Sequence, residues 1–140
     1  MQKSYRERLL AAKEKNYLSG KVCPYCNKDT ELIDSVEIYG GKSYGLMYIC
    51  RDCNAYVGCY RDTNKALGRL ADSQLRDFKH RAHLHFDKIW QENPSIGRRD
   101  AYRWLAQQMD IPVELTHIGM FEVDMCQKVI ELSEEYFKVI

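Results

Sequence analysis

The chain has 140 residues and a mass of 16.5 kDa, which is the usual size of a single domain. Hydrophobic residues make up 45% and charged residues 29% of it, a balance that excludes a wholly disordered or collagen-like protein. No apolar run approaches the roughly 20 residues that span a bilayer, and residues 1–21 lack the apolar stretch of a signal peptide. We therefore expect a cytoplasmic protein with no membrane partner, whose thiols stay reduced.

The formal net charge of +1 is unevenly distributed along the chain. Residues 1–22 carry six basic and two acidic side chains, and residues 61–103 carry ten and six. Residues 23–60 carry three basic and five acidic side chains, and residues 110–140 carry two and seven. The basic segments can offer a surface to an acidic partner, although a merely solvated surface fits the same pattern.

The first predicted element is a helix within residues 1–21. It runs from Tyr5 to Leu18, with Ser4 as its N-cap and Gly20 as its stop. Residues 22–62 then change to short β-like runs, which predict a small antiparallel sheet over Glu31–Tyr39, Tyr44–Cys50 and Ala55–Tyr60. The loop between the first two runs contains Gly40 and Gly41, which favour a hairpin.

Residues 63–140 show helical periodicity and predict three helices. The first follows an Asp72 cap and buries Leu75, Phe78, Ala82, Phe86 and Ile89. The second begins at Ser95, ends before Pro112, and turns Ala101, Trp104, Leu105 and Met109 inward; the third covers Val123–Lys138. The sequence thus predicts an α+β fold in which all three segments form one domain.

Four of the six cysteines form two pairs with metal-ligand spacing. Cys23 and Cys26 make one Cys-x2-Cys pair, and Cys50 and Cys53 make another after 23 intervening residues. Two residues between paired ligands let one tight turn aim both sulfurs at a single ion, and the predicted hairpin brings the two turns together. This spacing is typical of a zinc ribbon with one structural Zn²⁺; iron or a redox pair are the alternatives.

The remaining two cysteines, Cys59 and Cys126, are predicted to be buried thiols. Cys59 falls on the apolar face of the third strand, and an exchanged metal ligand is its alternative role. Cys126 lies within the apolar stripe of the last helix.

Several further motifs accompany the cysteine pairs, and together they carry a resemblance. They are Cys23-Pro24-Tyr25-Cys26, Glu37–Gly40, Cys50–Cys59, Leu67-Gly68, Arg81–His83, Phe86-Asp87, Trp90, Ala101–Ala106 and His117–Phe121. Over roughly Val22 to Leu132 the chain resembles the zinc-finger-containing domain proteins of prokaryotes and phages. The resemblance implies one zinc-bearing domain, and the family's description names a finger rather than an activity.

Aromatic and basic residues suggest how such a domain could bind DNA or RNA. Five tyrosines fall on the predicted ribbon, where exposed rings could stack on bases, although the rings could equally pack the ribbon. The candidate nucleic-acid contacts are Tyr44, Arg51 and Arg61 on the ribbon, and Arg98, Arg99 and Arg103 on the second C-terminal helix.

Three other polar residues, His83, Asp87 and His117, offer the one arrangement that could support acid/base or second-metal chemistry. A half-buried structural histidine is the simpler role for His83. The sequence contains no Ser/His/Asp elbow, phosphate-binding glycine loop or HExxH motif.

The leading functional prediction is a non-catalytic zinc-binding module that binds nucleic acid. The alternative is a protein-interaction or regulatory adaptor, which the acidic C-terminal segment and the near-neutral pI favour. A metal-assisted nuclease or other hydrolase ranks third, because four cysteine ligands leave no open position on the metal.

Overall fold

The computed structural model describes residues 3–138, which fold into two compact units. The ribbon unit comprises residues 10–73, and the helical unit comprises residues 3–9 together with 74–138. The helices are α1 (Tyr5–Glu14), α2 (Val36–Tyr39), α3 (Ser73–Gln91), α4 (Arg98–Met109) and α5 (Val123–Lys138). The strands are β1 (Glu31–Asp34), β2 (Leu46–Cys50) and β3 (Ala55–Gly58), and the fold class is α+β as predicted.

The sheet of the ribbon unit is antiparallel in the order β1-β2-β3. Its central strand β2 buries both faces, because alternate side chains of a strand point to opposite sides. Tyr48 and Cys50 pack into one apolar cluster with Val57 and Leu70, while Met47 and Ile49 pack into a second cluster with Ile33. Residues 66–71 run back beside β3 and form two isolated antiparallel bridges with it and its next residue. One bridge joins Tyr56 to Ala71, and the other joins Cys59 to Ala66.

The predicted strand Glu31–Tyr39 is wrong over its second half, which forms the one-turn helix α2. The Asp34 carboxylate accepts a hydrogen bond from the Val36 N–H at 2.9 Å. Such a local bond from an aspartate side chain to the backbone competes with strand pairing and turns the chain. The hairpin connection is therefore longer than the glycines alone predict.

Two helix boundaries also differ from the prediction. Helix α1 begins as expected, with Ser4 and Glu7 each accepting the other's backbone N–H, but it ends at Glu14 because Asn16 adopts a left-handed conformation with φ of 63°. Helix α4 begins at Arg98 rather than Ser95, since its N-cap is Gly97. The last of the three predicted C-terminal helices, Val123–Lys138, is confirmed as α5.

The helical unit has its own core, to which α3, α4, α5 and the segment between α4 and α5 contribute fully buried side chains. These include Phe86, Ile89, Leu105, Ile118, Phe121, Met125 and Val129. The first residues of α1 are attached to this unit by two ion pairs of Arg8. Its guanidinium binds Glu122 at 2.5 Å and Asp124 at 2.7 Å. None of the helices within residues 3–138 is long and apolar enough to cross a membrane.

Candidate functional site

The first cysteine pair lies on a tight turn that precedes the sheet. The Asn27 N–H donates to the Cys23 carbonyl at 2.8 Å, and Asn27 is left-handed with φ of 64°. Backbone N–H groups of Tyr25 and Cys26 point at the Cys23 sulfur, and the Lys28 N–H points at the Cys26 sulfur. The turn thus presents both sulfurs on one side and surrounds them with donors that favour thiolates.

The second cysteine pair forms the connection between β2 and β3. Cys50 is the last residue of β2, and Cys53 follows within the turn. The Asn54 N–H donates to the Arg51 carbonyl at 3.3 Å, and Asn54 is left-handed with φ of 50°. Both cysteine turns therefore end on an asparagine, a residue that tolerates positive φ better than most.

The two turns bring the four sulfurs of Cys23, Cys26, Cys50 and Cys53 within 4.8 Å of one another. The Cys26 and Cys50 sulfurs are 3.7 Å apart. A tetrahedral ion with metal–sulfur distances of about 2.3 Å would place its ligands about 3.8 Å apart. The geometry therefore fits a tetrahedral four-thiolate site.

Burial and neighbouring groups shift the thiol pKa values in opposite directions. Burial raises the pKa of Cys23, while the Lys28 N–H lowers the pKa of Cys26. Desolvation, followed by the adjacent thiols, raises the pKa of Cys53 to about 12. Four thiolates this close repel one another unless a cation neutralises them, which is the chemical reason that such a group binds a metal.

A salt bridge connects the two cysteine turns on their outer side. The Lys28 ammonium lies 3.3 Å from the Asp52 carboxylate, and both side chains are well exposed. An exposed pair of this kind contributes little to stability. The assembly of the site therefore depends on the cysteine turns themselves and on the sheet that joins them.

Comparison with known protein families matches residues 19–136 to a zinc-finger-containing domain. The match covers most of the chain and includes all four clustered cysteines. The chain belongs to the zinc-finger-containing domain family. Together with the clustered thiols, membership in this family supports metal binding, with zinc as the ion that its description names. Searches among curated proteins and among solved structures gave no significant match.

The other two cysteines of this zinc-finger-containing domain lie outside the four-sulfur group. Cys59 is partly buried against the apolar cluster of the ribbon unit, and burial raises the pKa of its thiol. Cys126 is fully buried on α5 in the helical unit. Both placements agree with the predicted role of buried thiols.

The ribbon tyrosines divide into buried and exposed rings. Tyr48 is buried, and its hydroxyl donates to the Asn64 carbonyl at 2.7 Å. Tyr44 has 72% of its surface exposed, and Tyr60 has 43%. The rings of Tyr39 and Tyr44 are nearly perpendicular, with their centroids 5.9 Å apart. One ring thus packs the ribbon, as the simpler interpretation predicts, and at least two rings are available for stacking.

The two candidate arginines of the ribbon differ in their surroundings. The Arg51 guanidinium binds Glu31 at 2.8 Å and Glu37 at 3.3 Å, and these carboxylates raise its pKa. A phosphate would have to compete with both carboxylates for Arg51. Arg61 is exposed and has no ion-pair partner within the described residues.

The three candidate arginines of α4 are exposed; Arg98 and Arg99 begin the helix, and Arg103 lies at its middle. The Arg98 guanidinium lies 5.9 Å from the Trp90 ring centroid and 5.7 Å from that of Tyr102. Arg103 has an ion pair of 3.7 Å with Asp100. Arg99 is exposed and has no ion pair in the part of the chain that the structure describes.

The histidine candidates do not share an ion. His83 Nδ1 is 2.9 Å from the Lys79 carbonyl oxygen, and the Asp87 carboxylate accepts from the Trp90 indole N–H at 3.1 Å. His117 is exposed, with its ring 6.2 Å from that of Tyr102. Between residues 3 and 138 the four cysteines form the one group of three or more potential ligands close enough to bind a metal.

Two structural features of the site were not part of the sequence prediction. The asparagine after the second cysteine of each pair, Asn27 and Asn54, is a repeated signal that the sequence displays. The role of Ser35 has no comparable signal: its buried hydroxyl accepts the Tyr44 N–H at 2.7 Å and positions the exposed tyrosine.

Proposed function

We propose that Cys23, Cys26, Cys50 and Cys53 hold one structural Zn²⁺. The proposal is supported by the tetrahedral spacing of the sulfurs and by the family's description. Four thiolates would complete the coordination of the ion and leave no position for water or substrate. We therefore assign the metal a folding role and assign no hydrolase activity to the site.

We further propose that the protein is a non-catalytic module that binds single-stranded DNA or RNA. The observation that carries this proposal is Arg98, which is exposed and has its guanidinium within 6 Å of the ring centroids of both Trp90 and Tyr102. Attraction to the two rings restricts the guanidinium and so reduces the entropy that it loses when it binds a phosphate. Arg99 adds a second cation beside it.

The backbone at the same end of α4 favours an anion. The N-cap residue is Gly97, which supplies no side-chain acceptor for the first N–H groups of the helix. Those groups and the helix dipole create a positive potential near Arg98 and Arg99. The arginines and the backbone thus attract the same kind of ligand, a phosphate group.

The exposed tyrosines of the ribbon unit offer the other kind of contact that single-strand binding uses, a ring on which a base can stack. Tyr44 presents an accessible ring. The Lys42 ammonium lies 6.0 Å from the centroid of that ring, so a positive charge is close to the stacking surface. Stacking of a base on such a ring is worth about 1 to 3 kcal/mol and tolerates any base sequence.

The test is fluorescence anisotropy with labelled single- and double-stranded DNA and RNA over a range of salt concentrations. Replacing Arg98, Arg99 and Arg103 together with alanine should weaken single-strand binding and reduce the slope of log K against log salt by about 2, because about 0.7 counterions are released per phosphate contact. The charge-matched control replaces Arg6, Lys13 and Lys15, which are exposed. Failure of the wild-type protein to bind any nucleic acid at low salt would refute the proposal.

A protein-interaction adaptor is the second candidate, and the exposed Leu84 favours it. This leucine has 56% of its surface exposed on α3. Its neighbours one turn away include Arg81 and Lys88, a combination that suits an acidic peptide with one apolar anchor. The test is a binding measurement with an acidic peptide that contains one apolar anchor. Binding to the wild-type protein that is lost in the Leu84→Lys variant would favour this function.

A further inference from the structure

An open groove of about 500 Å³ lies at the end of the sheet away from the cysteine turns. It is lined by Asp34, Gly45, Leu46, Asp62, Thr63 and Asn64. Asp34 ends β1 and pairs with Leu46 at the start of β2, and the Cys59 N–H joins the chain after β3 to the Leu46 carbonyl at 3.1 Å. The volume lies within the range of about 300 to 1,000 Å³ that is usual for ligand pockets.

The backbone on both sides of the groove is held by hydrogen bonds. On one side the Ser35 N–H donates to the Gly45 carbonyl at 2.8 Å, next to the bond from the Tyr44 N–H to the Ser35 hydroxyl. On the other side the Tyr60 N–H donates to the Lys65 carbonyl at 2.9 Å and closes the intervening loop. The groove is therefore formed before any ligand arrives, which lowers the entropic cost of binding.

Each side of the groove has an exposed tyrosine paired with a lysine. Tyr44 with Lys42 adjoins the segment that contributes Gly45 and Leu46. Tyr60 and Lys65 flank the segment that contributes residues 62–64, and the Lys65 ammonium lies 5.8 Å from the Tyr60 ring centroid. Arg61 adds a third cation. Rings for stacking and cations for phosphates thus lie in the two segments that border the groove.

The groove itself contains two carboxylates, which can only accept hydrogen bonds when ionised. The Asp34 carboxylate is held by the Val36 N–H, and this bond, with the Ser43 hydroxyl, holds the pKa of Asp34 below its usual range. Asp62 is exposed, with a left-handed φ of 60°. The positive charges outside and the acceptors inside suit a ligand that is anionic along its backbone and rich in donors at one edge.

Guanine is the nucleic-acid base that fits this description. Its Watson–Crick edge presents the N1–H and N2–H donors side by side, and a carboxylate can accept both. Uracil and thymine present a single N–H between two carbonyl oxygens, which a carboxylate repels.

We propose that the groove is a base-reading site that selects a guanine within a single strand, with Asp62 as the acceptor of its N1–H and N2–H groups. The neighbouring Tyr44 or Tyr60 stacks on the same strand, and Lys42, Arg61 and Lys65 contact its phosphates. This inference rests on the proposed function, since it names the ligand of a nucleic-acid-binding protein.

The experiment compares three labelled RNA octamers by fluorescence anisotropy with the full-length, zinc-loaded protein: all-uridine, one guanosine in uridine, and one inosine in uridine. We expect the guanosine octamer to bind about tenfold more tightly than all-uridine, as one bidentate contact to a base edge provides. Inosine lacks the N2 amino group and should lose most of that gain. Asp62→Asn should bring the ratio of the guanosine to the all-uridine affinity down to about one, because the amide cannot accept both donors.

The Asp62→Asn variant should fold, since asparagine tolerates a left-handed φ as well as aspartate does. The matched control is Asp29→Asn, an exposed aspartate of the same unit that does not line the groove; it should keep the preference. Equal binding of the three octamers, or a preference that survives in Asp62→Asn, would overturn the inference and leave the proposed function standing. Absence of binding to all octamers would overturn both, and Asp62-dependent binding of an arginine-rich peptide without base preference would make the groove a peptide site instead.

Discussion

Replacing Gly20 with alanine should destabilise the ribbon unit more than the same change at any open glycine. Gly20 has a φ of 78°, and a Cβ there would lie 2.8 Å from the Ala66 Cβ and 3.0 Å from Tyr48 Cδ2. The Ala66 methyl belongs to a small side chain that cannot rotate away, and Tyr48 is buried with its hydroxyl bound to Asn64. The clash therefore needs a backbone shift.

The size of the effect follows from two contributions. A left-handed conformation costs a residue with a Cβ about 1 to 2 kcal/mol, and overpacking a well-packed core costs about 1 to 3 kcal/mol. Gly20→Ala should thus lower the free energy of unfolding by about 2 to 5 kcal/mol. The control is Gly41→Ala, which has a φ of 61° but nothing within 4 Å of its Cβ; it should lose only the first contribution.

The assay is urea unfolding of the Co²⁺-substituted protein at fixed metal concentration, followed by thiolate-to-cobalt absorption, which reports on the ribbon unit. The double variant Gly20→Ala with Ala66→Gly should recover part of the loss, because the nearest contact is removed. Equal destabilisation by Gly20→Ala and Gly41→Ala would show that the close packing of Gly20 against Ala66 is not what limits this position.

Three further perturbations test other parts of the molecule. Cys50→Ser should abolish stoichiometric metal and unfold the ribbon unit, whereas Cys126→Ala should keep the metal and cost about 1 to 3 kcal/mol of core packing; metal analysis and circular dichroism distinguish the two outcomes. Arg8 lowers the pKa of Asp124, so the pair stabilises the fold above the carboxyl's unfolded pKa and loses that effect as pH falls through the folded pKa; Arg8→Ala should cost about 1 kcal/mol at pH 7 and progressively less as the carboxyl is protonated, in thermal melts over a range of acidic pH. The buried Ser133 hydroxyl has no hydrogen-bond partner among residues 3–138, so Ser133→Ala should leave the melting temperature unchanged or raise it, and a clear decrease would contradict its unpaired state.

The sequence could predict the metal cluster because its information is local. Two residues between paired cysteines constrain a turn, and the period-two patterns around them constrain the strands that join the turns. The last helix was equally predictable, since Val123–Lys138 has a clear apolar stripe. The predicted inward position of Trp104 is only partly correct. Its ring is half-buried and forms a T-shaped contact with Tyr136, with the ring centroids 5.4 Å apart.

The errors lie where a single local feature, either a side-chain bond to the backbone or one backbone dihedral angle, decides the boundary of an element. Asp34 and Asn16 change the local conformation through a carboxylate bond and a left-handed φ, respectively, and both override the propensity of the neighbouring residues. Periodicity does not contain this information, because one bond or one dihedral angle decides the boundary. The extended strand and the overlong first helix were both predicted for this reason.

Surface function was the hardest to predict, since it depends on partners distant in sequence. Arg51 suits a phosphate contact by composition, yet it binds Glu31 and Glu37, which lie 20 and 14 residues earlier. Arg98, by contrast, gains two aromatic neighbours that its position in a basic run does not reveal. The fold thus makes one arginine less available and the other better positioned.

The two surfaces proposed to bind nucleic acid differ in chemistry, and this difference makes them separable. The N-terminal end of α4 offers cations and free backbone donors, which contact phosphates and do not distinguish bases. The groove of the ribbon unit offers rings and carboxylate acceptors, which contact bases. Variants of Arg98 and Arg99 should therefore change the salt dependence of binding and leave base preference intact. Asp62→Asn should do the reverse, a pattern that a single non-specific electrostatic surface would not produce.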